Sequence, residues 1–166
     1  MEIRIAEIED AKEIYAIYLN AKKNLIESGI FQWTDSYPSS KIITEDIRNK
    51  YLYVLTCDND IIGAINISEE QEKEYETIDW KFDDSKILVI HRLVIDPKYQ
   101  RKGHARELMN FAEKFADECR YTSIRLDAYS PNTRVIEFYK ARDYFIRGEV
   151  YFPEREFPFY CMEKEL

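Results

Sequence analysis

The chain has 166 residues, of which 45% are hydrophobic and 14% aromatic, and carries 24 Lys and Arg against 32 Asp and Glu. That length suits a single domain spanning 1–166 with its own core. The net charge of -8 argues against a nucleic-acid partner, whose affinity comes from basic residues neutralising phosphates. Cys57, Cys119 and Cys161 lie far apart without CxxC spacing, which argues against a disulfide framework and against a metal site, and points to a reducing cytoplasm. "MEIRIAEIEDAKEI" carries no basic apolar signal and no stretch reaches the length of a membrane span, so no membrane partner is expected.

"IRIAE" alternates as a short strand. Glu9 or Asp10 opens a helix in which Ala11, Ile14, Tyr18, Ala21 and Leu25 share a face, and Gly29 ends it. The loop that follows is rich in aromatic and turn residues, and its Ser39 or Ser40 opens a second helix through Arg48. "YLYVLTC" and "IIGAINIS" read as a hairpin around "DND". "EEQEKEYETIDWKFDD" is an acidic connection anchored by Tyr75, Ile78 and Trp80, and "KILVIHRLVID" reads as a central strand covered on both faces.

Residues 104–119 show the strongest helical periodicity, with Ala105, Leu108, Met109, Ala112, Phe115, Ala116 and Cys119 on one face. "SIRLDAY" is the next strand. Ser130 as N-cap and Pro131 in the first turn predict a helix through Tyr139. "YFIRGEVYF" and "FPFYCMEKEL" finish the chain as antiparallel strands. The order is mixed α/β, with a strand–turn–helix unit in its middle.

That unit, "DPKYQRKGHAREL", puts a glycine turn and the cations Lys98, Arg101, Lys102 and Arg106 at a helix start, where free backbone N–H groups suit a phosphate. A nucleoside triphosphate loop needs GxxxxGK[ST], but His104 and Ala105 follow Gly103. A dinucleotide fingerprint needs GxGxxG, and there is one Gly. "QRKGHA" does match [QR]xxGx[GA], with Gln100, Gly103 and Ala105 in place. A strand precedes it, an amphipathic helix follows, and "LDAYSPNTRVIEFYKARDY" then supplies Asn132 and Tyr139.

In these features the chain resembles the GNAT acyltransferases over nearly its whole length. "GIFQWTDSYP", "YETIDW" and "GEVYFPEREFPFYCMEKEL" are similar to a bacterial branch of that family whose acceptors are mostly unassigned. The resemblance implies a mixed, centrally splayed sheet flanked by helices, with acetyl-CoA as cofactor. One departure stands out: "ARDY" occurs where the family commonly has Gly before an aromatic residue.

The resemblance also implies roles. The backbone from Gln100 through Ala105 would hold the cofactor's pyrophosphate, with Arg101 and Lys102 as charge partners. His104 sits inside that turn, where cofactor contact competes with a surface role. Leu93, Val94 and Ile95 would offer main-chain groups to the pantetheine arm, an N–H near Val94 polarising the thioester carbonyl. Tyr139 is the candidate general acid for the departing thiolate, or a packed helix residue. Asn132 either bonds the pantetheine amide or assists the helix start. His91 is the candidate base, in competition with a core hydrogen bond and with Glu69 and Glu70. Phe31, Gln32, Trp33, Tyr37 and Trp80 either line an acceptor pocket or pin loops to the core.

The expected activity is transfer of an acetyl group to the primary amine of a small molecule or peptide, by direct attack in a ternary complex. No Cys has a His partner in sequence context that would suit an acyl-enzyme. The rival reading is a non-catalytic acyl-CoA sensor or interaction module on the same fold. A homodimer is open on either reading.

Overall fold

The computed structural model describes residues 1–83 and 86–166. Its helices and strands run β1 (Glu2–Ile5), α1 (Ala11–Glu27), α2 (Ser40–Arg48), β2 (Leu52–Cys57), β3 (Asp60–Ser68), β4 (Ile87–Ile95), α3 (His104–Glu118), β5 (Ser123–Tyr129), α4 (Thr133–Lys140), β6 (Phe145–Val150) and β7 (Phe159–Glu165). The seven strands are ordered β1-β2-β3-β4-β5-β7-β6. This is the expected mixed α/β arrangement. β4 pairs in parallel with β5, over Ile87–Val89 against Ser123–Arg125. β1–β2, β2–β3, β5–β7 and β6–β7 are antiparallel. By contact density the chain divides into two units: Met1–Ile67 with His91–Ala112, and Ser68–Ile90 with Glu113–Leu166.

In the first unit, α1 and α2 bury Ile14, Ile17, Tyr18, Ala21, Ile43 and Ile47 against Leu52, Val54, Ile61, Ala64 and Val94. Local signals set the ends of these helices. Asp10 accepts the Glu7 N–H at 2.8 Å and two Arg4 nitrogens at 2.7 and 3.0 Å just before α1. Gly29 takes φ +76, and its N–H and that of Ile30 donate to the carbonyls of Ile26 and Leu25, closing the helix with a left-handed residue that glycine suits best. The Ser39 hydroxyl accepts the Ile42 N–H at 3.2 Å to open α2. Between β2 and β3, Asp58 and Asn59 stand at φ 51 and 72, the geometry of a tight hairpin turn.

In the second unit the acidic connection is pinned rather than loose. Tyr75 and Trp80 are buried, and the Trp80 indole N–H donates to the Tyr75 carbonyl at 3.0 Å. Glu163 of β7, fully buried, accepts the backbone N–H groups of Lys81 at 3.0 Å and Phe82 at 3.3 Å and the Arg147 Nε at 3.0 Å. Asp84, the last residue of that connection, lies outside the described residues.

One expectation changes here. The last helix begins at Thr133, not at Ser130 and Pro131, because the Ser130 N–H donates to the Pro158 carbonyl and the Asn132 N–H to the Tyr129 carbonyl. Those bonds hold residues 130–132 in a turn. In "ARDY", Asp143 takes φ +66, so the position still adopts the left-handed conformation that Gly favours, and a short polar side chain tolerates it.

Candidate active site

The strand–turn–helix unit begins with a local irregularity in β4. Arg92, in mid-strand, has φ +51, a region that L residues avoid. His91, Arg92 and Leu93 are half-buried, while Val94 and Ile95 are buried. A Cβ on Gly63 of β3 would lie 2.8 Å from the Val94 carbonyl oxygen, so only glycine lets the two backbones approach this closely. The Asp96 N–H donates to the Ile62 carbonyl at 2.9 Å, and its carboxylate accepts the Lys98 N–H at 2.9 Å. Pro97 opens one turn of 3-10 helix, and Gln100 folds its side-chain amide back onto the Ile95 carbonyl at 3.0 Å.

Beyond that clamp, Arg101 and Gly103 both take positive φ, 63 and 89. The Gly103 carbonyl accepts the Glu107 N–H at 3.2 Å, which starts α3. A Cβ on Gly103 would meet no atom within 4 Å, so the residue supplies conformation and an open approach rather than relief of a clash. No acceptor among the described residues takes the N–H groups of residues 101–106. Two left-handed residues ahead of a helix start make a concave set of donors suited to an anion. Arg101, Lys102 and Arg106 are exposed around it. His104 is half-buried: its side chain is 11% exposed, and its Nδ1 is buried 3.5 Å from a Glu107 carboxylate oxygen.

The loop between α1 and α2 meets this unit at Arg92. The Arg92 guanidinium grips the Asp46 carboxylate of α2 through Nη2 at 2.7 and 2.8 Å and Nε at 3.0 Å, and donates to the Tyr37 hydroxyl at 2.9 Å. Burial opposes its charge, but the Tyr37 hydroxyl and the Asp46 carboxylate outweigh it and raise its pKa. The Tyr18 hydroxyl donates to the Arg92 carbonyl at 2.5 Å. Trp33 is half-buried, edge-on to Tyr18 at 5.5 Å, and Phe31 is 56% exposed. Of the aromatic candidates in this loop, Tyr37 thus touches Arg92 directly, Trp33 stands behind Tyr18, and Phe31 faces solvent.

The second unit holds the other candidates. Asn132 occupies the N-cap of α4 and is buried, yet its side chain does not make the cap bond; its carbonyl accepts from Val135 and Ile136. Tyr139, two turns on, is buried with its ring 5.7 Å from Tyr144. Burial raises its phenol pKa, with the Asp127 carboxylate adding and Arg142 subtracting. Nothing among the described residues hydrogen-bonds its hydroxyl. Trp80 is buried beneath the Arg125 guanidinium, 4.2 Å from its ring centre, as an anchor would be. Glu69 and Glu70 are exposed, and Glu69 accepts the Tyr121 hydroxyl at 2.7 Å. Among the described residues, no cluster of His, Cys, Asp and Glu is placed to hold a metal.

Tyr18, Asp46 and Arg92 were not singled out by the motif. An Arg that, with His91, interrupts an apolar strand and an Asp near the apolar face of a short helix are the available signals.

A model of the acetyltransferase (GNAT) family matches residues 11–144. The chain belongs to that family. The resemblance to that family is thereby borne out, and with it the mixed α/β fold. Bacillus subtilis (strain 168) has a relative, the uncharacterized N-acetyltransferase YesJ, that is 23% identical over 143 residues, covering 84% of this chain and 79% of YesJ. A provisionally assigned acetyltransferase of Staphylococcus aureus Mu50 is 26% identical, with a TM-score of 0.77 and 99% of each chain covered. The PaiA N-acetyltransferase of Thermoplasma acidophilum, solved in complex with coenzyme A, is 18% identical, with a TM-score of 0.72 over 99% of this chain and 98% of that one. Among the described residues of this GNAT protein, no helix is long and apolar enough to cross a membrane.

Proposed function

We propose that residues 1–166 act as one cytoplasmic domain that transfers the acetyl group of acetyl-CoA to a primary amine of a small molecule or peptide. The observation that carries this reading is the row of uncapped N–H groups at residues 101–106, bent around Arg101 and Gly103 at positive φ. These donors fit a diphosphate, and PaiA's complex with coenzyme A on the same fold supports that choice of anion. Arg101 and Lys102 add charge there.

Acetyl-CoA supplies the acetyl group as an activated thioester. On this reading the Val94 N–H donates to the thioester oxygen as negative charge builds on it, an interaction stronger in the transition state than in the ground state. His91 takes a proton from the attacking amine, directly or through water. The new C–N bond replaces the C–S bond, and Tyr139 gives its phenolic proton to the departing sulfur, recovering it from solvent. Burial, with the Asp127 carboxylate adding to it, keeps the Tyr139 phenol protonated, as a proton donor must be, and at the same time makes it a weaker acid. Asn132 is assigned to the pantetheine amide, and Phe31, Trp33 and Tyr37 to the acceptor side. A homodimer is compatible with this scheme and not required by it.

The test is a melting curve with and without saturating acetyl-CoA, followed by thiol release across a panel of primary amines. A rise in Tm that is lost in Gly103→Glu, together with thiol release, is expected. No rise in the wild type would sink the proposal. A rise without thiol release for any amine would favour the acyl-CoA sensor.

A further inference from the structure

Arg92 is the most strained feature of β4: a long-chain L residue at φ +51 in the middle of a strand that, His91 apart, is otherwise apolar. Such a conformation persists only where surrounding contacts over-determine it, and three do so here. The Tyr18 hydroxyl reaches across from α1 to take the Arg92 carbonyl at 2.5 Å, a group that a regular strand would give to its ladder. Asp46 of α2 holds the guanidinium at two nitrogens, and Tyr37 accepts from a third at 2.9 Å. Both the carbonyl and the side chain of one residue are therefore tied to elements outside the sheet. The Arg92 carbonyl and the Leu93 N–H lie in one peptide plane, so these ties fix where that N–H points and how the chain enters Val94.

Simple packing does not call for this arrangement. Asp46 is 6% exposed and Tyr18 1% exposed. A buried carboxylate and a buried phenol are costly choices where apolar side chains would fill the same space. They are used to hold one turn of backbone, two residues ahead of the amide assigned to the thioester oxygen.

We infer that Tyr18 and Asp46 are positioning residues for acetyl transfer, acting through Arg92 to hold the Val94 amide in its productive direction. This rests on the acetyl-transfer reading above. It requires their removal to slow the chemical step while leaving cofactor affinity in place, because the pyrophosphate cradle of residues 101–106 is held separately by Gln100 and Gly103.

The experiment compares wild type, Tyr18→Phe, Asp46→Asn and Arg92→Gly for coenzyme A affinity by calorimetry. Thiol release from acetyl-CoA is then followed with butylamine, tyramine and lysine amide. Tyr18→Phe keeps the ring and Arg92→Gly accepts positive φ without strain, so at least one variant remains folded. Expected are coenzyme A affinities within about twofold of wild type and kcat lower by about ten- to a hundredfold, the loss typical of a small misplacement. The double variant Tyr18→Phe/Asp46→Asn should lose little more than either single one, because both act on one residue. A wild-type kcat in Tyr18→Phe and Asp46→Asn overturns the inference alone. So does a fall in coenzyme A affinity that parallels the fall in kcat, which would mark a general structural role. Absence of thiol release by the wild type overturns the acetyl-transfer reading and this inference with it.

Discussion

Gln100 donates its side-chain amide to the carbonyl of Ile95 at 3.0 Å, closing the loop that carries the chain from β4 into the anion cradle. The bond joins the two ends of a short bridge, so it fixes the cradle relative to the strand while leaving the free N–H groups untouched. Gln100→Ala should therefore weaken acetyl-CoA binding by about tenfold, the worth of one net hydrogen bond. Its kcat at saturation should stay near that of the wild type. Calorimetric titration with acetyl-CoA checks the first outcome, and an unchanged Kd would remove Gln100 from the binding machinery.

Gly103 and Asp143 make opposite predictions from the same backbone geometry. Gly103 stands at φ +89 with open space where a Cβ would go, so Gly103→Ala costs about 1–2 kcal/mol in conformation without a clash. Asp143 already bears part of such a cost at φ +66, and Asp143→Gly should stabilise the chain by up to about 1 kcal/mol. Denaturant midpoints of the two variants, read against wild type, should move in opposite directions.

Glu163 is fully buried and answers two backbone N–H groups and the Arg147 guanidinium at once. Removing its charge leaves Arg147 and the nearby Arg125 with a poorer partner. Glu163→Ala should cost about 3–5 kcal/mol, as breaking a buried pair does. Protease sensitivity should rise around Lys81 and Phe82, the segment that this carboxylate pins. Urea melts and limited proteolysis followed by mass spectrometry read both effects.

Much of the fold was legible because its signals are local. Gly29, Ser39 and the Asp58–Asn59 pair act on backbone groups within a few residues of themselves, and the α3 periodicity needs no partner to be seen. What stayed hidden joins residues far apart in the chain. Arg92 and Asp46 are 46 positions apart, and a charged residue in a strand reads as exposed until its partner is known. The start of α4 was misplaced for the same reason. Ser130 and Pro131 are residue types that suit a helix start, but the Ser130 N–H is taken by Pro158 from a different segment and the N-cap position falls on Asn132. Asp143 shows the converse: a motif departs in residue type while the conformation that the motif encodes is kept.

Tyr139 allows the sharpest separation of chemistry from stability. Burial first, and the Asp127 carboxylate second, raise its pKa above the ordinary tyrosine value. Burial does the same for Tyr18, Tyr75 and Tyr144. In the unfolded chain these phenols ionise near pH ~10, whereas in the folded chain they keep their protons. The folded state then binds more protons than the unfolded one, so stability is fully present below about pH 10 and falls as pH rises beyond it. Tyr139→Phe cannot ionise at this position, so its melting temperature should decline less steeply than that of wild type above pH ~10. Its kcat should fall by about 10²–10⁴ at neutral pH if the phenol protonates the leaving sulfur, with KM for acetyl-CoA little changed. Below pH ~10 the wild-type kcat should show no alkaline loss arising from this group. A Tyr139→Phe enzyme with wild-type kcat would leave the residue only its packing role against Tyr144.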